Sequence, residues 1–391
     1  MLHPDPFLLS LSIYSIPVDE HFLIKKLNER KQANAFRQLS LPDTKVDFCS
    51  NDYLGITRNN LVEKLLKKSA TTGRSQNDTF KTGSTGSRLL AGNYTLIEEV
   101  ERKIALFHQA STALIFNSGY DANVGLFSCL PQKGDTMIYD QLSHASIRDG
   151  IRLSLCQSFS FKHNDLEDLE KKLKAATGNI FVATESVFSM DGDKAPLNQI
   201  AALCDQYRAH LIVDEAHATG VIGEKGEGLV QALGLQQRCL ARIHTFGKAC
   251  GVHGAAVLGS ENLRNYLINF SRTFIYTTAL PETSLAAIAA SYEIFPHLVN
   301  ERQHLAEIIS RFQLAASKYQ LLVSETPVQV ILIPGNDNVK RDAMELQQNG
   351  FDIRPILSPT VARGAERLRI VLHSFNTMQE VIQLSYHLQQ L

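Results

Sequence analysis

The 391-residue sequence contains no tryptophan and has little of what marks several classes of protein. Its 39 lysines and arginines almost cancel its 40 aspartates and glutamates, so it lacks the basic excess that is typical of nucleic-acid-binding proteins. No apolar run approaches the roughly 18 residues that cross a bilayer. We therefore expect neither a nucleic-acid partner nor a membrane partner. Anionic small molecules remain possible ligands, because a local cluster of arginines can bind them without an excess of basic residues in the whole chain.

The six cysteines form no recognisable framework. They show no CxxC or CxxxH spacing, so the sequence predicts neither a zinc site nor a disulfide scaffold, and we expect no bound metal. Free thiols in a reducing cytoplasm are the plain interpretation. The N-terminal 17 residues are mildly apolar, but Pro4, Pro6 and Pro17 interrupt them and a basic segment is missing. A secretory signal is not expected, and the predicted location is cytoplasmic.

What the sequence does contain is an alternation of short apolar runs with amphipathic segments of helical length. Seven β-prone runs occur, at residues 113–116, 136–139, 158–161, 180–184, 210–213, 242–246 and 255–258. Segments between them, such as 166–175 and 197–208, have helical spacing. This alternation predicts an α/β fold in which helices cover both faces of a largely parallel sheet.

The flanking regions are predicted to be mainly helical. Three segments before the first strand show helical patterns, at about 18–37, 61–70 and 96–107. Residues 73–93 are rich in Gly, Ser and Thr and are predicted to be an irregular loop. After residue 283 we expect one long helix to about residue 319, followed by apolar runs at 328–333 and 369–372.

The length of the chain allows two or three domains. We predict an N-terminal arm and helix (1–58), a large domain (59–285) and a smaller C-terminal domain (286–391). No internal repeat or low-complexity tract interrupts this division.

Polar segments follow five of the seven apolar runs. They are NSGY (117–120), DQLSHAS (140–146), ESVFSMDGD (185–193), DEAHATG (214–220) and GKACG (247–251). In open α/β sheets, ligands bind at the carboxyl ends of the strands. The sequence therefore predicts that these five segments converge on one rim.

Lys248, within TFGKACGVHG (245–254), directly follows a predicted strand in a glycine-rich turn. A lysine in such a turn is most often a solvated loop residue. An amine displayed at a strand end can also form a Schiff base, as in pyridoxal-phosphate enzymes. Asp214 at another strand end needs a cation or a donor, and a protonated pyridine nitrogen would be one. A helix N-cap is the alternative role for Asp214.

Further strand-end residues suit the same cofactor, although each also fits an ordinary structural role. The backbone N–H groups of a turn between strand and helix favour a phosphate, and three residues lie there: Ser118, Gly119 and Tyr120. An imidazole at His144 could stack on a planar ring, and hydroxyls are available at Ser189 and Thr245. The letters DEAH also occur in nucleic-acid-dependent ATPases, but the sequence has no GxxxxGK[ST] phosphate loop, which argues strongly against that interpretation.

Nine motifs, in this order, resemble those of the α-oxoamine synthases: SNDYLG, GSRLLAGN, FNSGY, LSHAS, ESVFSMDGD, VDEAHATGVIGEKGEG, TFGKACGVHGAAVLGS, FIYTTALP and RPILSPTVARGAERLRI. The resemblance extends from about residue 27 to the C-terminus. This family consists of pyridoxal-phosphate enzymes of fold type I that join an amino acid to an acyl thioester with loss of carbon dioxide. It implies a large domain, with a mostly parallel seven-stranded sheet between helices, and a smaller α+β C-terminal domain.

The resemblance also implies a role for each site residue. Lys248 would carry the cofactor as a Schiff base and later move the α-proton of the bound amino acid. Asp214 would pair with the pyridinium nitrogen, His217 would hydrogen-bond the ring hydroxyl, and His144 would stack on the ring. The catalytic residues are thus Lys248, His144 and Asp214. The other cofactor contacts would come from Ser118, Gly119, Tyr120, Ser189, His217, Thr245, Thr277 and Thr278.

Partners and substrates are implied in the same way. In this family the FIYTT segment reaches the cofactor phosphate of the neighbouring subunit, which places Thr277 and Thr278 in a homodimer with a shared active site. Arg369 would hold the amino-acid carboxylate. Three further positions are expected to contact substrate: Arg37, Asn51 and Thr360.

Within the family, the chain is most similar to the member that condenses L-alanine with a pimeloyl thioester in biotin synthesis. Arg37 favours this substrate, because a carboxylate far from the thioester needs its own cation. Sister enzymes that use glycine or serine with acetyl, succinyl or palmitoyl donors remain alternatives. A pyridoxal-phosphate-binding protein without turnover is the alternative from another class. Either coenzyme A or an acyl carrier protein could carry the acyl group.

Overall fold

A seven-stranded sheet and a smaller C-terminal sheet organise the computed structural model, which describes residues 18–41, 44–72, 80–316 and 321–391. The strands are β1 (Val46–Asp47), β2 (Thr112–Phe116), β3 (Thr136–Asp140), β4 (Gln157–Phe161), β5 (Ile180–Glu185), β6 (His210–Asp214), β7 (Cys239–Thr245), β8 (Ala255–Gly259), β9 (Val328–Leu332), β10 (Phe351–Asp352), β11 (Arg354–Ile356) and β12 (Arg367–Val371).

The helices alternate with these strands through most of the chain. They are α1 (His21–Gln32), α2 (Leu61–Thr72), α3 (Thr95–Phe107), α4 (Gly119–Cys129), α5 (Ala145–Leu153), α6 (Leu166–Ala175), α7 (Leu197–Gln206), α8 (Leu229–Ala232), α9 (Glu261–Phe270), α10 (Arg272–Ile275), α11 (Glu282–Ile294), α12 (Val299–Ala315), α13 (Asn336–Gln348) and α14 (Met378–Leu388).

The large sheet has the strand order β2-β8-β7-β6-β5-β3-β4. Six of these strands run parallel to one another, and β8 runs antiparallel to both of its neighbours, β2 and β7. Each of the seven predicted apolar runs is a strand of this sheet. The predicted α/β class and the mostly parallel seven-stranded sheet are therefore confirmed.

Alternating side chains of the strands form two apolar layers. In β2, Leu114 and Phe116 pack in one cluster with residues of α4, α5 and α9, whereas Ala113 and Ile115 pack in another with residues of α3 and α11. Successive side chains of a strand point to opposite faces, so a strand buried on both sides is apolar throughout. This is why the parallel strands are continuous apolar runs in the sequence.

The smaller sheet contains the antiparallel strands β11-β12-β9, and β1 pairs with β10 beside it. Its apolar residues belong to the same core cluster as α3 and α11. The small sheet therefore packs against the large one through a continuous core. The domain boundaries at 58/59 and 285/286 stay predictions.

The long helix predicted after residue 283 is wrong. The structure has two helices instead, α11 and α12, separated by the 3-10 turn Phe295–His297 that contains Pro296. Proline has no N–H to donate and its ring clashes with the preceding turn, so the helical hydrogen bonds stop here. The expected end near residue 319 lies outside the described residues.

The N-terminal predictions are met in part. Helix α1 is shorter than the predicted 18–37, and it has no buried residue. Residues 80–93 of the predicted loop contain neither helix nor strand, whereas residues 73–79 and the segment before residue 18 lie outside the described residues. In the described part of the chain, no helix combines the length and the apolar character that a membrane span requires.

Candidate active site

The carboxyl ends of β2, β3, β5, β6 and β7 meet around a cavity of about 280 Å³. The sequence predicted this convergence from the polar segments that follow the strands. Nine of the predicted site residues line the cavity, namely Asn51, Ser118, Gly119, Tyr120, His144, Asp214, His217, Thr245 and Lys248. Residues that are up to 197 positions apart in the chain are thus neighbours at one rim.

Lys248 lies in a closed turn after β7. The Gly251 N–H donates to the Lys248 carbonyl at 2.8 Å, and Gly251 adopts a φ of 65°, which glycine tolerates without strain. The Lys248 side chain is half-buried, and its amine has no hydrogen-bond or salt-bridge partner among the described residues. Burial lowers the pKa of the amine to about 8, although Asp214 and Glu185 act in the opposite direction.

Asp214 ends β6 and is 5% exposed. One carboxylate oxygen accepts the Asn123 side-chain N–H at 2.7 Å, and the other accepts the Ala216 backbone N–H at 2.9 Å. Asp214 is therefore oriented by two neutral donors and has no salt bridge within the described residues. A buried carboxylate without a cation is suited to receive a positively charged ligand atom.

His217 belongs to a hydrogen-bonded chain that leads from the cavity to Arg369. The Tyr53 hydroxyl lies 2.6 Å from His217 Nδ1 and 3.1 Å from Asn51 Oδ1, which accepts an N–H of Arg369 at 3.1 Å. Burial and the nearby positive charges of Lys248 and Arg369 lower the pKa of His217 well below its usual value. The imidazole is therefore neutral and can serve as donor or acceptor in the site.

His144 is the N-cap residue of α5 and follows β3. Its Nδ1 lies 2.8 Å from the Ser146 hydroxyl, and its backbone N–H donates to Glu185 Oε1 at 2.5 Å. His144 keeps exposed surface, yet the protein around the imidazole excludes enough water to lower the pKa of the ring. A neutral, fixed imidazole facing the cavity results.

The turn at the start of α4, where the sequence predicts a phosphate contact, is closely packed against Thr245. Ser118 caps the helix by accepting the Asp121 N–H at 3.1 Å. A Cβ at Gly119 would lie 2.4 Å from Thr245 Cγ2, so only glycine fits this approach. The Thr245 hydroxyl is buried without a partner in the described part of the chain. A helix N-terminus beside an unpaired hydroxyl suits an anionic group.

Six predicted site residues do not line the cavity. The carbonyl of Ser189 accepts an N–H of Arg369 at 2.8 Å, so both are close to the site through backbone and side-chain bonds. Arg37 donates to the Thr360 hydroxyl at 3.0 Å, in an exposed pair. Thr277 and Thr278 contact the side chain of Asn117. The roles of these six residues stay predictions.

Among the residues that contact the predicted set, Tyr53, Asn123 and Glu185 are not singled out by the sequence pattern. Glu185 carries a detectable signal, because it is the last residue of β5 and its Cα pairs in register with that of Asp214. The strand-end rule that selected Asp214 would have selected it too. Asn123 and Tyr53 carry weaker signals, since a single polar residue in a helix or loop does not reveal a partner far along the chain. We call Lys248, Asp214 and Glu185 the cavity cluster.

A second polar cluster lies beside the site and contains Asp140, His163, Asn164 and Asp193; we call it the His163 cluster. His163 Nδ1 lies 3.0 Å from Asp140, and its Nε2 lies 2.8 Å from Asp193. With Asp191, His163 and Asp193 form a group close enough to hold a metal ion. Because both ring nitrogens already face carboxylates and Arg367 contacts Asp191, the arrangement is that of an ion-pair network.

The cavity residues fit pyridoxal phosphate. The unpaired Lys248 amine suits a covalent link to a carbonyl, and the Asp214 carboxylate suits a cationic ring nitrogen. The unpaired Thr245 hydroxyl and the start of α4 suit the phosphate.

Comparison with known proteins agrees with this fit. The profile of the family described as "Aminotransferase class I and II" matches residues 43–384. The 8-amino-7-oxononanoate synthase of Emericella nidulans is 40% identical over 391 residues, with 92% of each chain covered. The 8-amino-7-oxononanoate synthase 2 of Bacillus subtilis is 37% identical over 378 residues and covers 93% of this chain and 95% of its own.

Solved structures are similar over nearly the whole chain. The crystal structure of 8-amino-7-oxononanoate synthase from Francisella tularensis has 30% identity and a TM-score of 0.74, with 89% of this chain and 99% of that chain covered. Serine palmitoyltransferase from Sphingomonas wittichii has 26% identity and a TM-score of 0.85, with 96% and 97% covered. The chain therefore belongs to the aminotransferase class I and II family and, within it, to the 8-amino-7-oxononanoate synthase family.

Proposed function

We propose that this protein is a pyridoxal-phosphate-dependent acyltransferase of biotin biosynthesis. It condenses L-alanine with a pimeloyl thioester to give 8-amino-7-oxononanoate, carbon dioxide and the free thiol. The observation that carries the proposal is that one cavity contains both the unpaired Lys248 amine and the buried Asp214 carboxylate, in a chain 40% identical to an 8-amino-7-oxononanoate synthase.

Bound pyridoxal phosphate supplies a carbonyl for an amine and an electron-withdrawing ring that acidifies the Cα–H bond of an attached amino acid. Lys248 would form the covalent link, and Asp214 would face the ring nitrogen. His217 would hydrogen-bond the ring hydroxyl, and His144 would lie against the ring. The remaining contacts, several of them to the phosphate, would come from Ser118, Gly119, Tyr120, Ser189 and Thr245.

Lys248 would remove the proton from Cα of the bound amino acid and later return it. With a pKa of about 8, the amine is partly unprotonated near neutral pH and can accept this proton, and its conjugate acid can return it. An exposed lysine with an ordinary pKa near 10.4 would be almost fully charged there. The desolvated position of Lys248 therefore provides the base.

Two arginines, Arg369 and Arg37, would orient the two substrates. Arg369 would hold the alanine carboxylate, because its guanidinium is joined through Asn51 and Tyr53 to the cavity wall. Arg37 and Thr360, hydrogen-bonded to each other at 3.0 Å, would receive the far carboxylate of the pimeloyl chain. Holding Cα close to the thioester carbonyl lowers the entropic barrier of the condensation.

We further propose a homodimer with a shared active site. Thr277 and Thr278 are tethered by Asn117 outside their own cavity, and the neighbouring Tyr276 is 73% exposed. This arrangement leaves the segment available to a second subunit, where the two threonines would reach the cofactor phosphate. Coenzyme A and an acyl carrier protein are both compatible carriers of the acyl group.

Serine palmitoyltransferase chemistry is the second candidate, favoured by the TM-score of 0.85 to the Sphingomonas wittichii enzyme. The exposed Arg37–Thr360 pair favours the pimeloyl donor instead, since a palmitoyl chain ends in a methyl group that needs no cation. A binding protein without turnover would not need the unpaired amine at Lys248.

The test is thiol release from a matrix of substrates. L-Alanine, glycine and L-serine are each combined with pimeloyl, acetyl, succinyl and palmitoyl thioesters. We expect L-alanine with the pimeloyl donor to give the highest kcat/KM. A preference for glycine with the acetyl donor would overturn the substrate assignment, and the absence of thiol release from every pair would overturn the catalytic one.

A further inference from the structure

Two buried carboxylates lie side by side where β5 and β6 end. Glu185 and Asp214 are the last residues of these strands, and their Cα atoms are register partners in the parallel pair. Side chains at partner positions point to the same face of a sheet. Both residues line the cavity. Asp214 has a role in the proposed function, whereas Glu185 has none.

The contact that Glu185 makes is with the backbone of another cavity residue. Glu185 is 3% exposed, and its Oε1 accepts the His144 N–H at 2.5 Å. His144 comes four residues after β3, which pairs with β5 in the sheet. The hydrogen bond therefore ties the loop after β3 to the end of β5. Because His144 is the N-cap of α5, the bond also fixes where this helix begins.

We propose that Glu185 is a positioning residue, which accepts the backbone N–H of His144 and thereby holds the His144 imidazole facing the cavity. The inference rests on the proposed function, in which His144 contacts the cofactor. According to this proposal, the position of His144 depends on a hydrogen-bond acceptor at residue 185. A glutamine keeps a carbonyl acceptor of the same reach, whereas an alanine leaves the His144 N–H without its partner.

Glu215 provides a matched control. It follows Asp214 directly, is fully buried and accepts the backbone N–H groups of Leu229 and Val230 at 2.9 and 2.6 Å. Glu215 is not among the residues that line the cavity. Truncating Glu215 therefore removes a buried carboxylate that accepts backbone N–H groups at the same rim, as Glu185 does, but that makes no hydrogen bond to His144.

The first measurement is hydrogen exchange of the His144 amide in cofactor-free protein, followed by mass spectrometry of peptides that cover residues 142–146. We expect Glu185→Ala to speed this exchange at least about tenfold, and Glu185→Gln to stay within about threefold of the parent. Glu215→Ala should speed exchange at Leu229 and Val230 and leave His144 unchanged. Unchanged His144 exchange in Glu185→Ala would overturn the proposal.

The second measurement uses the holoenzyme. In Glu185→Ala we expect kcat to fall about tenfold or more with the KM for L-alanine changed less than about threefold, and the visible circular dichroism of the bound cofactor to weaken. Glu185→Gln should restore both, while Glu215→Ala should lower thermal stability only. A Glu185→Gln variant as impaired as Glu185→Ala would overturn the acceptor role. If the parent protein shows no thiol release, the proposed function fails, and the exchange experiment still decides the anchoring of His144.

Discussion

The cavity cluster and the His163 cluster place ionisable side chains at the same rim of the large sheet, but they pair them differently. In the His163 cluster, each imidazole nitrogen faces a carboxylate within 3.0 Å. In the cavity cluster, the Lys248 amine makes no salt bridge within the described residues, and Asp214 is held by the neutral donors of Asn123 and Ala216.

The pKa values follow from this difference. Burial brings the pKa of both Lys248 and Glu185 to about 8, from opposite directions. The carboxylates of Asp140 and Asp193 outweigh burial at His163 and raise its pKa to about 10. An amine that titrates near neutral pH, such as Lys248, suits proton transfer, whereas a permanently charged imidazole suits a structural ion pair. Incomplete pairing of its charges thus distinguishes the cavity cluster from the His163 cluster.

The largest effect is expected from removing the unpaired amine. Lys248→Ala should lower kcat/KM for the condensation by at least about 10³-fold and abolish the borohydride-reducible attachment of the cofactor, because both need this amine. Thermal stability should not fall, since a desolvated cation without a partner is lost. Lys194→Ala is the control, with activity close to that of the parent. A reducible cofactor that survives in Lys248→Ala would contradict the assignment.

Breaking the His163 cluster should instead act on stability. His163→Leu leaves the fully buried Asp140 carboxylate without its cation, so we expect the free energy of unfolding to fall by about 3–5 kcal/mol in denaturant titrations. Adding Asp140→Asn removes the stranded charge and should recover part of the loss. A loss below about 1 kcal/mol in His163→Leu would show that the cluster is not a structural ion pair.

The pH dependence of stability sharpens this contrast. The folded-state pKa of His163, about 10, lies above its ordinary value of 6.5, so its protonation stabilises the fold fully below pH 6.5. This contribution is lost as the pH rises towards 10. We therefore expect the difference in unfolding free energy between the parent and His163→Gln to shrink over this interval. A constant difference between pH 6.5 and 10 would contradict the raised pKa.

Lys248 should show the opposite behaviour. Its pKa is lowered, from about 10.4 in an unfolded chain to about 8, so the contribution of this group to stability is lost as the pH falls through that interval. In cofactor-free protein we expect acylation of the Lys248 amine by an activated ester to rise with a midpoint near pH 8. Exposed lysines in the same digest serve as the reference, and an equal midpoint for all lysines would refute the desolvated amine.

The sequence predicted the seven strands and their converging ends because these features are local. Apolar runs and strand-end polar residues are visible within a few positions, and parallel pairing then brings the ends together. The proline that ends α11, Pro296, is an equally local feature, so the sequence also contains the signal for this break. The contacts of Tyr53 with His217 and of Asn123 with Asp214 join residues 164 and 91 positions apart. Such contacts arise from tertiary packing, so no local sequence pattern predicts them.

The smallest effect is expected at an exposed pair next to the His163 cluster. Lys194, the neighbour of Asp193 in the chain, lies 2.9 Å from Glu325, whose side chain is 76% exposed. This distance is almost that of the His163–Asp193 contact, 2.8 Å. Water and salt screen the exposed charges, so Glu325→Gln should change the free energy of unfolding by less than about 1 kcal/mol.

A salt titration separates the two pairs. The effect of Glu325→Gln should vanish between low and about 1 M salt, where screening acts within a few ångströms, while the effect of His163→Leu should persist. Equal salt sensitivity of both variants would mean that solvent reaches the His163 cluster as freely as the surface. The contrast between the paired charges of the His163 cluster and the unpaired charges of the cavity cluster would then lose its physical basis.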